Sequence, residues 1–181
     1  MADMAVGIVD HDPRWAELFE EQRDRVSAVL ARWLVAPVEH SGSTAVLGLR
    51  AKPIVDLLAP VGSLREREAV VKVLSEDGWV YWPDDPRGDS RLWFLRPQPE
   101  LRTHHLHVVE HAHPRARALL IFRDALRQNP ALTVEYQQLK EHLARENPAN
   151  RNAYTNGKAT FVAAVLRDAG IEDPVTEDLP E

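Results

Sequence analysis

The chain has 181 residues, 44% of them hydrophobic and 28% charged, with no cysteine and a net charge of −6. This fits one domain with a buried core and excludes disulfides, thiolate nucleophiles and cysteine-ligated zinc. The acidic balance argues against bulk nucleic-acid binding, which needs many cations to displace counterions, but it leaves room for a small anionic ligand in a locally positive pocket. No apolar run approaches the roughly 20 residues that span a bilayer, and the first residues lack the basic region and apolar core of a signal peptide. The expectation is a cytoplasmic protein without a membrane partner.

In chain order, Gly7–Val9 reads as a short edge strand, and Asp12 with Pro13 starts a helix. Its Trp15 and Phe19 recur at helical spacing and read as core anchors. Val35–Glu39 reads as a strand running into His40-Ser-Gly-Ser-Thr, and Pro53–Val61 as a second strand, apolar except at Asp56. An amphipathic helix over Leu64–Glu76 stops at Gly78. Strands follow at Trp79–Trp82, Arg91–Arg96 and Thr103–Glu110, with a turn-rich loop around Arg87-Gly88-Asp89. Helices are expected over 114–128, 131–146 and 150–169, started by Pro114, Pro130 and Asn150. The order helix, strands, helices predicts an α+β fold, a mixed sheet with a helical layer on one face. The domain is expected over residues 1–171, with 172–181 as an acidic tail.

On the second strand, Ile54, Asp56 and Leu58 share a face. A carboxylate among Ile, Val and Leu is costly to bury unless it is paired, ligates a metal or lies at an open end. Either it is functional or it makes a salt bridge with Lys52 or an arginine. Gly42, Ser43 and Thr44 follow the preceding strand, where free amides and hydroxyls cradle phosphate oxygens, although turns and caps use the same residues.

The stretch HSGSTAVLGLRAKPIVD, with Gly42-Ser43 ahead of Asp56, resembles the signature of the DNA polymerase β-like nucleotidyltransferases and, more closely, of the GrpB family within them. RTHHLHVVE, FRDALRQNP and RNAYTNGKATFV extend the resemblance over roughly residues 6–169. It implies a nucleotidyltransferase-like core that binds a nucleotide or phosphorylated metabolite. Gly42, Ser43, Thr44 and Lys52 would hold phosphate, Lys52 and Asp56 would be catalytic, and a divalent metal (Mg, Mn or Zn) would assist transfer. One departure stands out: the second acid of the superfamily's Asp-x-Asp pair falls at Leu58. Two-metal transfer needs more carboxylate than Asp56 alone supplies.

Two further groups complete the candidate site. His105 and His107 share a strand face, a spacing that lets two imidazoles join Asp56 around one metal; hydrogen bonding within the core is the alternative. Residues 115–167 hold nine Lys or Arg against four Asp or Glu. Within them Arg151, Tyr154, Lys158 and Phe161 fall on one helical stripe suited to holding phosphates and stacking a ring. Three readings stay open: a metal-dependent transferase, a binding or regulatory module that has lost its chemistry, and a single-metal His-His-Asp enzyme.

Overall fold

The computed structural model describes residues 7–85, 88–98 and 101–171, apart from the side chain of Arg151. The acidic tail and the start of the Arg87-Gly88-Asp89 stretch lie outside them. In chain order come α1 (Arg14–Val29), β1 (Glu39–Ser41), a 3-10 turn (Ser43–Ala45), β2 (Val55–Val61), α2 (Arg67–Glu76), β3 (Val80–Tyr81), β4 (Arg91–Arg96) and β5 (His104–Glu110). Four helices follow: α3 (Pro114–Gln128), α4 (Pro130–Glu146), α5 (Arg151–Asn156) and α6 (Ala159–Asp168).

The strands form one mixed sheet in the order β1-β2-β5-β4-β3. Only β2 and β5 run parallel. Their register sets Asp56 opposite His105 and Leu58 opposite His107, and β1 places Ser41 opposite Asp56. Both central strands are buried almost throughout, as expected where a parallel pair is covered on two sides.

The two faces carry different cores. Val55, Leu57, Ala59 and Val61 of β2, with Leu106 and Val108 of β5, pack under Trp15, Phe19 and Val26 of α1 and Val70 and Leu74 of α2. On the other face, Leu58 and Val109 meet Ala116, Ala118 and Leu119 of α3 and Val162 and Leu166 of α6. The expectation of a sheet covered on one face is therefore corrected. The N-terminal helix and α2 cover the face that the C-terminal helices leave open, because period-two alternation makes both sides of β2 apolar.

Local signals explain most boundaries. The Asp12 carboxylate accepts the Arg14 amide at 2.9 Å, His113 Nδ1 accepts that of Arg115, and Asn129 and Asn150 cap α4 and α5. Several boundaries differ from expectation: the helix expected from Leu64 starts at Arg67, and the strand expected at Gly7–Val9 is a single bridge from Val9 to Ala51. The strand expected at Val35–Glu39 forms instead at Glu39–Ser41, leaving the Leu34–Val61 bridge isolated. The single helix expected over 150–169 breaks between Asn156 and Ala159. Gly157 lies at this break, where an added Cβ would press on the Leu143 side chain and force it to shift.

Candidate functional site

The site is built on the face of β2 and β5 that looks toward the C-terminal helices. Ser43, Ala51, Lys52, Ile54, Asp56, His105, Lys140 and Tyr154 line one small pocket there. Lys158 lies beside it, its Nζ 4.6 Å from the Tyr154 ring centroid, and Lys52 Nζ is 4.9 Å from the same centroid. The fold thus brings together Ser43, Lys52, Asp56, His105, Tyr154 and Lys158 from six separate elements and loops.

Gly42 adopts φ 70°, a left-handed value that glycine takes without strain. The chain enters a short 3-10 turn here, which buries Ser43 and Thr44. Ser43 Oγ accepts from Lys140 Nζ at 3.1 Å, and Tyr136 also hydrogen-bonds the Ser43 side chain. Thr44 turns elsewhere: its hydroxyl donates to the Ile54 carbonyl at 3.2 Å and meets His40 Nε2 at 3.0 Å. It ties the turn to β2.

Three lysines reach this region, all buried: Lys52, Lys140 and Lys158. Lys140 also donates to the Arg50 carbonyl. Burial, with the Lys158 charge nearby, pulls Lys140 down to about 7. Burial likewise holds Lys158 down to about 7, against the attraction of Asp56. Withdrawing an ammonium from water favours its neutral form.

Asp56 is 1% exposed. Burial pushes its carboxyl above the usual range, opposed by His107, Lys52 and Lys158. Its Oδ1 lies 3.1 Å from His105 Nδ1 and 3.7 Å from His107 Nε2. Ligand atoms of Asp56, His105 and His107 all fall within 4.8 Å of one another, close enough for the three to hold a metal ion. The other ring nitrogen of His107, Nδ1, stands 3.3 Å from Arg91 Nη1. Arg91 is itself paired to Asp85, at 2.5 Å and 3.0 Å.

Leu58 occupies the position of the superfamily's second acid and is wholly buried against α3 and α6. Glu110 accepts the Leu64 amide at 2.8 Å at the approach to α2. Arg123 and Arg127 tie α3 to the first strand and the turn, through Glu39, the His40 carbonyl and the Ala45 carbonyl.

Sequence reasoning missed Lys140 and the Asp85–Arg91 pair. Lys140 lies in register with Leu132, Tyr136 and Leu139 on the inward side of α4, and a lysine on an apolar stripe was the signal that could have found it. Arg91 shares a face with Trp93, which pairs with His107 across β4 and β5; that cross-strand relation was invisible without the register.

A family model described as GrpB protein matches residues 5–168. A UPF0157 protein of Pseudomonas aeruginosa is 36% identical over 91% of this chain and 67% of its own length. Glutamate-rich protein GrpB of Alkalihalophilus pseudofirmus is 31% identical over 89% of this chain and 94% of its own. UPF0157 protein YqkA of Bacillus subtilis is 32% identical over 91% of this chain, which spans only 47% of that relative. A crystal structure of conserved protein GrpB from Enterococcus faecalis superposes with a TM-score of 0.80 at 30% identity, covering 90% of this chain and 96% of the other. With the nucleotidyltransferase-like sheet, the Gly-Ser turn and the strand aspartate, these matches establish that the chain belongs to the GrpB family of the nucleotidyltransferase-like superfamily.

Proposed function

We propose that this GrpB-family protein binds a small anionic ligand, a nucleotide or other phosphorylated metabolite, through a phosphate-sized group seated in the pocket between β2 and the C-terminal helices. The observation that carries this reading is the convergence of three buried lysines, Lys52, Lys140 and Lys158, on the Ser43 hydroxyl and the Tyr154 ring. Burying an ammonium costs several kcal/mol unless its charge is compensated. The Lys158 charge adds to that cost for Lys140. An oxyanion among them relieves both terms and accepts their hydrogen bonds in a short, charge-assisted geometry.

A metal-dependent nucleotidyl or phosphoryl transferase is a second reading, favoured by the closeness of Asp56, His105 and His107. Leu58 weighs against its two-metal form, since a buried leucine stands where the second carboxylate is needed. Thermal melting with inorganic phosphate, pyrophosphate and nucleoside mono-, di- and triphosphates, each with chelator or with Mg, Mn or Zn, separates the two. Anion stabilisation that survives chelator supports the binding reading. Pyrophosphate release from a triphosphate, strictly dependent on metal, replaces it with the transferase. No response to any anion sinks both.

A further inference from the structure

The distances around Asp56 do not by themselves decide between a metal site and a hydrogen-bonded cluster. Two ligands bonded to one tetrahedral ion at about 2 Å sit roughly 3.3 Å apart, and hydrogen-bonded groups sit almost as close. The decision falls to Arg91. A guanidinium only donates hydrogen bonds, so the ring nitrogen it faces, His107 Nδ1 at 3.3 Å, has to accept. An accepting ring nitrogen carries no proton, so the imidazole holds its single N–H on the other nitrogen. With Nδ1 accepting, that proton is on Nε2, the nitrogen 3.7 Å from Asp56 Oδ1. A metal-ligating histidine does the reverse, donating its outer N–H to a carboxylate or carbonyl and turning the bare nitrogen inward.

We propose that the buried Asp85–Arg91 pair is the positioning element of this site: it fixes His107 with its N–H on Nε2, the nitrogen that faces Asp56, and so withholds it from metal ligation. Two features agree. Arg91 cannot rotate its demand away, because Asp85 grips it at 2.5 Å and 3.0 Å and both residues are at most 7% exposed. Lys52 and Lys158 both act on the Asp56 carboxyl, so a divalent ion would have to compete with them for it. His105, hydrogen-bonded to Asp56 Oδ1 at 3.1 Å, anchors the carboxyl, and anion binding beside it needs no metal.

The test is the tautomer of His107, read from the imidazole nitrogen shifts and long-range proton–nitrogen couplings of the labelled full-length chain without ligand. The expected spectrum shows His107 protonated at Nε2 with a bare Nδ1. Protonation at Nδ1 overturns the proposal. A second arm titrates zinc into the wild type and into the Asp85→Asn/Arg91→Gln double variant, whose glutamine can accept from Nδ1–H. The variant should gain roughly 10–100-fold in zinc affinity, the usual range for a second-layer partner. Tight stoichiometric zinc binding by the wild type, undiminished relative to the variant, also overturns it. Should the variant not fold, the wild-type spectrum still decides, and because it is recorded without ligand its failure leaves the anion reading untouched.

Discussion

The two faces of the β2–β5 pair are built from the same strands by different rules. Toward α1 and α2, the alternation buries Val55, Leu57, Ala59, Leu106 and Val108, with His104 at one edge against Trp79. Toward the C-terminal helices, the same alternation delivers Val109 at one end, Asp56 and His105 at the other, and Leu58 beside His107 between them. The first face supplies stability through area removed from water. At the polar end of the second, stability is given up, since a carboxyl, imidazoles and ammonium groups are desolvated together. Functional residues here are confined to one end of one face, where the turn after β1 and the helices α4 to α6 can reach them.

Substitutions that exchange the rules of the two faces break this contrast most severely. Leu57→Asp sets an unpaired carboxylate in the apolar face, where Leu57 is fully buried. Even when the carboxyl protonates instead of staying charged, the change costs several kcal/mol, a large share of the roughly 5–15 kcal/mol that holds a domain folded, and circular dichroism should show a sharply lowered melting temperature or an unfolded chain. Leu57→Ala, which only opens a cavity, should cost about 2–5 kcal/mol in chemical denaturation. Leu58→Asp tests the border between the two zones. It restores the superfamily's second acid, but Leu58 packs against α3 and α6, so the expected result is destabilisation by several kcal/mol with no metal-dependent turnover gained.

At the polar end the sign reverses. Lys158→Met removes a buried ammonium and keeps its volume, so the free protein should melt at the same or a higher temperature, while stabilisation by pyrophosphate is lost. The pH dependence follows from the same cause. Lys140 and Lys158 have folded-state values of about 7 against an ordinary 10.5. Between those limits the unfolded chain binds more protons than the folded one. Stability of the ligand-free protein should therefore rise as pH goes from about 7 toward 10.5 on account of these two groups, and Lys158→Met should flatten that rise. Ser43→Ala is the smallest change. It deletes the acceptor of one Lys140 hydrogen bond and should weaken anion binding by about 1.5–3 kcal/mol if the hydroxyl contacts the charged ligand, and leave it unaltered otherwise.

Much of the apolar face was legible in the sequence, because its signal is local. Trp15, Phe19 and Val26 repeat at helical spacing, and Pro114, Pro130 and Asn150 mark helix starts that the structure keeps within a residue or two. The polar end was legible in part. Asp56 stood out as a lone acid in an apolar strand, and His105 and His107 shared its face by parity, as the register confirms. What stayed hidden depends on contacts between distant segments. Lys140 meets Ser43 across 97 positions of chain, and Arg91 meets His107 only through the pairing of β4 with β5. Thr44 reads like a phosphate ligand because its role, a bond to the Ile54 carbonyl, is set by a loop that the sequence does not describe. Arg151 lies on a helix whose side chain at that position falls outside the described residues.

The claim that the buried lysines form an anion pocket is tested most directly by calorimetric titration of pyrophosphate, then a nucleoside triphosphate, into the wild type and Lys158→Met, with chelator, in two buffers of different ionisation enthalpy at pH 8. At that pH Lys140 and Lys158, each near 7, are largely neutral in the free protein. An oxyanion has to recharge them, so wild-type binding should take up protons, weaken as pH rises further and disappear or fall steeply in the variant. Binding of equal strength in both proteins without proton uptake, or no binding by the wild type at all, would contradict the account.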